Sequence, residues 1–307
     1  MLAVAPSKQC GGRCSVLGAL GFASLLATTA TVLAQTPAER GQYLVNSILA
    51  CGNCHTPKTA SGQPIAEKEL SGGLVFTTPA FDATASNITP DRETGIGAWS
   101  DAEIKRAIME GVRPDHGRLS GVPLAAVMPA NFYKAILPRD LDAVVAYLRS
   151  VKPVRNEVAD PVYKAPVHRD AYPDAETGFT EAALRDPVKQ GAYLVTLGHC
   201  MECHSTWQRG VSDHINGLGK GGRPFAPTLV KGFASTWDGA KARNITSHKT
   251  VGIGAWSDEE IKRAITQGVR PDGTRLKPPM DFSSYAKMTN ADLEAIVAYL
   301  RTVPPLE

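Results

Sequence analysis

Apolar side chains recur at helical intervals in three stretches of the chain. Residues 37–50 place Leu44 and Ile48 on one such face, which predicts a helix. The segments 139–151 and 290–303 show the same spacing and predict two more helices. No run alternates between apolar and polar positions over several residues, so no strand is predicted. The predicted fold class is therefore all-α, with small helices and long loops.

Polar residues at the edges of these patterns indicate where helices begin and end. Ser100 and Ser257 are each followed three residues later by a glutamate, which is the pattern of a capping box. Gly111 and Gly268 stand where the two helices that follow are expected to end. Thr289 precedes the last predicted helix and is another expected cap.

The chain contains an internal repeat. Segments 95–115 and 252–272 agree at 18 of 21 positions. Segments 40–55 and 189–204 share a glycine, then Tyr-Leu-Val, then two cysteines and a histidine. Because the order of these segments is kept while the loops between them change length, the sequence indicates a duplicated domain.

The repeat sets the expected domain boundaries. The first copy covers 35–153 and the second covers 188–307. The segment 154–187 is rich in proline and charge, has no steady periodicity, and is interpreted as a linker.

Residues 1–34 have the pattern of a secretory signal peptide. Lys8 and Arg13 precede an apolar run from Val16 to Ala34 that ends in small residues. This order predicts export and cleavage. The alternative is an uncleaved membrane anchor, since a run of this length is at the lower limit for crossing a bilayer.

Composition and charge narrow the class of protein. The chain has 307 residues, of which 43% are hydrophobic and 21% charged, with a formal net charge of +3. No long block of one sign occurs, so nucleic acid is not an expected partner. Helical domains of this size with long loops have a thin apolar core, and something further has to fill it.

The repeated motif indicates which group could complete the core of each domain. Beyond the first 34 residues, all cysteines belong to two Cys-x-x-Cys-His sequences at Cys51–His55 and Cys200–His204. This order is the attachment signature of c-type haem, with two thioether bonds and an imidazole on the iron. A Cys₄ zinc site, a thioredoxin-like pair and structural disulfides are alternatives, but none needs a histidine after both pairs. The predicted cofactors are two covalent haem c groups, bound by Cys51, Cys54, His55, Cys200, Cys203 and His204.

Each iron would need a second axial ligand. Met128 and Met280 occupy equivalent positions before the last helix of each copy, both in proline-containing loops. The predicted metal ligands are therefore His55 and Met128 in the first copy, and His204 and Met280 in the second. His116 lies near the first of these loops in sequence and is the rival to Met128.

Both copies resemble class I cytochrome c domains. The segments "GVRPD" and "MTNADLEAIVAYLRTVPP" are similar to the cytochrome c subunits of membrane-associated periplasmic alcohol, aldehyde and gluconate dehydrogenases. The resemblance implies two tandem class I domains in which the first and last helices of each copy cross. Gly41 and Tyr43 would then meet Tyr147 and Leu148, with the equivalent crossing in the second copy.

The expected function is electron transfer and not enzymatic catalysis. A periplasmic dehydrogenase would donate electrons, and a terminal oxidase or another cytochrome would accept them. The expected location is the periplasm, with membrane association through a partner or an uncleaved N-terminal segment as an open alternative. A di-haem cytochrome c peroxidase is the alternative function, because such enzymes also carry two Cys-x-x-Cys-His domains.

Overall fold

The computed structural model describes residues 35–208 and 210–307, and residues 35–307 form one compact unit. The predicted signal peptide, residues 1–34, lies outside the described residues. Within the described ranges, no helix has both the length and the apolar character needed to cross a bilayer. The helices there are α1 (Pro37–Asn46), α2 (Cys51–His55), α3 (Asp101–Glu110), α4 (Ala130–Tyr133), α5 (Pro138–Ser150), α6 (Pro173–Thr177), α7 (Pro187–Leu197), α8 (Cys200–His204), α9 (Asp258–Gln267), α10 (Phe282–Tyr285) and α11 (Asn290–Thr302).

The helix ends predicted from local sequence are confirmed. The hydroxyl of Ser100 accepts a hydrogen bond from the Glu103 main-chain N–H, and the Glu103 carboxylate accepts one from the Ser100 N–H. Ser257 forms the same capping box at the start of α9. Gly111 and Gly268 end these helices with φ of 69° and 64°, a left-handed conformation that glycine adopts without strain.

The first predicted helix is shorter than expected. Helix α1 ends at Asn46, and a turn rather than a helix covers 47–50. Ile48 and Leu49 are nevertheless buried in that turn. The apolar spacing correctly predicted that these two side chains are buried. The predicted helix, however, ended four residues later than α1 does. Helices α5 and α11 lie within one residue of their predicted bounds.

The first and last helices of each copy cross in close contact, as the resemblance implies. A Cβ added to Gly41 on α1 would lie 1.9 Å from the main-chain oxygen of Ala143 and 2.7 Å from Cβ of Tyr147. Gly191 on α7 would meet Ala295 and the equivalent tyrosine of α11 at almost the same distances. Only glycine lets the two backbones approach this closely.

The expectation of an all-α fold is wrong, because the structure is only 35% helical and contains several antiparallel sheets. The strands have two to four residues and lie in glycine- and proline-rich loops, so none is long enough to show alternation in the sequence. The strands in the described ranges are β1 (Val75–Thr77), β2 (Phe81–Thr84), β3 (Val162–Tyr163), β4 (Thr206–Gln208), β5 (Val211–Asp213), β6 (Pro224–Phe225), β7 (Val230–Lys231) and β8 (Ala240–Lys241).

The largest of these sheets joins three separate parts of the chain. Its strand order is β3–β2–β1–β7, with all neighbours antiparallel. The β1–β2 hairpin comes from the first copy of the repeat, β3 from the segment 154–187, and β7 from the second copy. The two copies therefore share main-chain hydrogen bonds as well as side-chain packing.

A reciprocal pair of contacts also joins the two copies. The hydroxyl of Tyr43 on α1 donates to the Asp292 carboxylate at the start of α11. The hydroxyl of Tyr193 on α7 donates to the Asp140 carboxylate at the start of α5, at 2.8 Å. Each hydroxyl also accepts a main-chain N–H from the loop before that helix. Because equivalent residues play equivalent parts, the contact follows an internal two-fold relation.

The two carboxylates differ in the partner that their own copy supplies. Asp140 is fully buried and accepts two hydrogen bonds from the Arg40 guanidinium, at 2.9 and 3.1 Å. The equivalent of Arg40 is Gln190, which donates a single hydrogen bond to Asp292 at 2.7 Å. One side of the interface thus holds an ion pair, whereas the other holds a carboxylate bound only by neutral donors.

Candidate haem sites

Each Cys-x-x-Cys-His motif forms one short helix after a left-handed residue. Ala50 has φ of 45° before α2, and His199 has φ of 38° before α8. Positive φ is uncommon in residues other than glycine, so its recurrence at equivalent positions indicates a required turn. Because residues three and four apart share a face of a helix, the short helix of each motif places its two cysteines and its histidine on one face.

The histidine rings are oriented for binding a metal through one nitrogen. Nδ1 of His55 lies 2.6 Å from the Ser86 carbonyl oxygen, and Nδ1 of His204 lies 2.7 Å from that of Arg243. A carbonyl can only accept, so Nδ1 must carry the proton and Nε2 is left as the ligand atom. Burial lowers the pKa of both rings, which favours the neutral form that coordinates metals.

The four cysteine side chains are half-buried. Burial raises the pKa of Cys51, Cys200 and Cys203 to about 12 and that of Cys54 to about 11. No disulfide joins either pair. Among residues 35–208 and 210–307, no group of three or more His, Cys, Asp or Glu side chains is placed to hold a metal ion.

An apolar cluster adjoins the first motif. Cys54 and Val127 both pack against it, so the segment that leads to Met128 lies over the same cluster as the motif. Its buried members are Leu74, Phe76, Phe81 and Ala125. His116, the rival to Met128, is half exposed and lies 2.9 Å from the Glu103 carboxylate on the surface of α3. Ligation by Met128 stays a prediction.

A charged group adjoins the second motif. The Glu202 carboxylate lies 3.0 Å from the His199 ring and 3.3 Å from the Arg223 guanidinium. Burial acts to raise the pKa of Glu202, but the hydrogen bonds and charges of His199 and Arg223 outweigh it and leave that pKa lowered. Arg223 also lies over the Trp207 and Phe225 rings, 5.7 and 5.4 Å from their centroids.

The loop of Met280 is held by side chains far away in the sequence. The Asn53 amide, inside the first motif, donates to the Pro279 carbonyl at 2.8 Å. The Trp237 indole N–H donates to the Pro278 carbonyl at 3.0 Å. No pattern in the sequence marks either side chain. The repeat gave no signal for Asn53, because its counterpart in the second motif is the chemically different Glu202. Ligation by Met280 also stays a prediction.

The two motifs lie close to each other in the fold. A Cβ added to Gly198, just before the second motif, would lie 2.8 Å from Cδ1 of Ile48, just before the first. The ring of Tyr133, in α4 of the first copy, lies 6.2 Å from the His199 ring beside Cys200. The turns that lead into the motifs therefore meet across the interface of the two copies.

These features define a c-type cytochrome with two haem-attachment motifs. Both have a histidine with a fixed tautomer, half-buried thiols on one helical face and apolar neighbours, which fits a covalent haem c. The model of the family described as "Cytochrome c" matches residues 188–304. The second copy of the domain therefore matches the cytochrome c family, and the first copy repeats its attachment motif.

Several relatives are similar over most of this chain. The gluconate 2-dehydrogenase cytochrome c subunit of Pantoea cypripedii is 31% identical over 94% of this chain and 64% of the relative. The alcohol dehydrogenase (quinone) cytochrome c subunit of Gluconacetobacter polyoxogenes is 32% identical, over 92% of this chain and 60% of the relative. A protein of Cereibacter sphaeroides named "Diheme cytochrome c-type" is 27% identical over 84% and 83%. The chain thus spans about three fifths of the length of the two dehydrogenase subunits.

Proposed function

We propose that this chain is an exported di-haem cytochrome c that carries electrons for a dehydrogenase. One haem c would be attached at Cys51 and Cys54 and the other at Cys200 and Cys203, each within its own copy of the domain. A haem bound at each motif supplies reversible one-electron chemistry. The chain's own residues supply the ligands, the burial and the spacing of the two groups.

The observation that carries this proposal is the repeated geometry of His55 and His204. In both motifs a loop carbonyl accepts a hydrogen bond from Nδ1–H, which fixes the ring and leaves Nε2 as the atom that would bind a metal. Met128 and Met280 would supply the second protein ligand of each iron. Two firm axial ligands leave no position for a substrate on the iron, which suits electron transfer and not catalysis at the metal.

Contact between the two copies supports exchange of electrons between the haem groups. The turns before the motifs touch at Ile48 and Gly198, so the attached groups would lie near each other. A periplasmic dehydrogenase would donate electrons to one haem, and a terminal oxidase or another cytochrome would accept electrons from the other. The names of the relatives motivate the choice of donor class, because two of them are cytochrome c subunits of dehydrogenases.

The test is the absorption spectrum of the purified, oxidised protein, with the weak far-red methionine–iron band quantified per haem. We expect the band to account for two haem groups, each low-spin, with Met128 and Met280 as ligands. A band that accounts for one or none would mean that at least one iron is open or bound by histidine. Rapid consumption of hydrogen peroxide with a reduced cytochrome as donor would then favour the peroxidase alternative.

A further inference from the structure

Asn53 links the attachment motif of the first copy to the ligand loop of the second. Its Nδ2 donates to the Pro279 carbonyl oxygen at 2.8 Å, although the two residues are 226 positions apart in the chain. Asn53 immediately precedes Cys54, and Pro279 immediately precedes Met280. A single hydrogen bond therefore connects the attachment motif of one copy to the loop of the predicted axial ligand of the other.

The orientation of the Asn53 amide is fixed by Lys58. The Lys58 ammonium donates to Oδ1 of Asn53 at 3.0 Å and to the Asn53 main-chain oxygen at 2.6 Å. An ammonium group has only donors, so the amide oxygen must face it and the NH₂ group must face Pro279. Lys58 in turn lies 4.8 Å from the centroid of the Phe233 ring.

The other side of the loop is held by the second copy itself. The Trp237 indole donates to the Pro278 carbonyl at 3.0 Å, and its ring lies 4.8 Å from that of Phe233. The carbonyls of Pro278 and Pro279 thus receive donors from different copies of the domain. Because proline has no N–H, neither residue can add a main-chain donor of its own to hold the loop in place.

This contact has no counterpart at the first ligand loop. The residue equivalent to Asn53 is Glu202, whose carboxylate can accept hydrogen bonds but not donate them. Glu202 pairs with His199 and Arg223, both in its own copy. The Tyr43 and Tyr193 contacts are reciprocal, whereas the contact of Asn53 is made in one direction only.

We propose that Asn53 is a positioning residue for the second haem site: its hydrogen bond holds the Pro278–Met280 segment so that Met280 stays on the iron. The inference rests on the proposed function, in particular on Met280 as an axial ligand. It makes the ligation of the second haem depend on the first copy of the domain. The first haem has no such dependence on the second copy through Glu202.

The test is a titration of the oxidised, haem-loaded protein with imidazole, which binds an iron from which methionine has departed. In the Asn53→Leu variant we expect one of the two haem groups to bind imidazole about tenfold more tightly, the effect of losing one such hydrogen bond. The other haem should bind as in the wild type. Trp237→Phe, which removes only the indole N–H, should act on the same haem and in the same direction.

Two reference variants make the outcome decisive. Met280→Ala should open the second haem and so identify its binding phase. Asn156→Leu removes a matched amide, which donates to the Ser71 carbonyl at 2.8 Å away from the Met280 loop, and should leave that phase unchanged.

The possible failures are distinguishable. If Met280→Ala binds imidazole no better than wild type, Met280 is not a ligand and the proposed coordination fails. If Met280→Ala opens the second haem but Asn53→Leu behaves like Asn156→Leu, Asn53 does not position the loop and this inference is wrong. Should Asn53→Leu not retain its haem groups, Lys58→Met, which removes the donor that orients the Asn53 amide, replaces it in the comparison with Asn156→Leu. A Lys58→Met variant that behaves like Asn156→Leu would contradict the inference.

Discussion

At the scale of single residues, His214 is buried where three parts of the chain meet. It is 6% exposed, and its ring lies 5.3 Å from that of Tyr172 in the segment 154–187 and 5.7 Å from that of Phe132 in the first copy. Burial lowers the pKa of His214 and outweighs the opposing effect of nearby carboxylates, of which Asp170 is the largest. The folded protein therefore keeps this ring neutral at a pH where the unfolded chain would protonate it.

We expect this histidine to make the fold sensitive to mild acid. As pH falls below about 6.5, the usual pKa of an unfolded histidine, the unfolded state binds the proton first and stability decreases toward the lower folded pKa. Above that window both states are neutral and His214 contributes no pH dependence. Denaturant unfolding measured from pH 7.5 to 5 should show the decrease in wild type and a smaller decrease in His214→Gln.

The matched control for this prediction is His168→Gln, because the His168 side chain is 75% exposed. That variant should follow the wild-type pH profile. An unchanged profile in His214→Gln would assign the acid sensitivity to other groups.

At the scale of elements, each copy depends on one glycine where its first and last helices cross. Gly41→Ala and Gly191→Ala would each place a methyl group 1.9 Å from a main-chain oxygen of the facing helix. The helices would have to separate, and we expect each variant to lose about 1–3 kcal/mol of unfolding free energy or more. Thermal unfolding of the haem-loaded protein measures the loss.

Ala102→Gly on the exposed face of α3 is the comparison for the glycine variants. It changes helix propensity without a change in packing and should cost only about 1 kcal/mol. Equal effects at Gly41 and Ala102 would mean that the α1–α5 crossing adapts to the methyl group.

What the sequence could predict at this scale depends on the range of the interactions involved. The ends of α3 and α9 were predictable because Ser100 and Ser257 act on residues three positions away. The strands were not, because β1 pairs with β7 more than 150 residues later and each strand has too few residues to show a period. The all-α expectation failed for that reason.

The same limit applies to the candidate haem sites: their short-range features were predictable from the sequence, and their long-range contacts were not. The attachment motifs were readable because their chemistry fixes the spacing of two cysteines and a histidine within five residues. The carbonyls of Ser86 and Arg243 could not be predicted as partners of the histidines, because every residue has a main-chain carbonyl and the role does not require a particular residue type. Asn53 was also hidden, because its partner is distant and its counterpart in the repeat is a different residue.

At the scale of the whole molecule, two tyrosine–carboxylate contacts, one buried and one partly buried, help to hold the two copies together. Tyr193 is 1% exposed, and its hydroxyl serves both Asp140 and the main-chain N–H of Leu137. Tyr193→Phe leaves both groups without this partner, and we expect a loss of about 1–3 kcal/mol of unfolding free energy. Tyr43→Phe should cost less, because its site is only partly buried.

Denaturant unfolding of both variants measures the difference, with Tyr163→Phe as a control whose hydroxyl donates to an exposed carbonyl. The control should stay close to wild type, since an exposed group exchanges its partner for water. A larger loss in Tyr43→Phe than in Tyr193→Phe would contradict the ranking by burial.

The reciprocal contact of the tyrosines has a consequence for the history of the chain. A surface that binds its own equivalent through a two-fold axis is the kind of surface by which identical subunits form a dimer. In such a dimer every substitution appears on both sides at once. Joining the copies in one polypeptide removes that constraint. Arg40 of one copy can then correspond to Gln190 of the other, and Asn53 can bind the other copy while Glu202 pairs within its own. A single polypeptide can therefore give its two copies different surroundings, such as the ion pair at Asp140 and the neutral donors at Asp292.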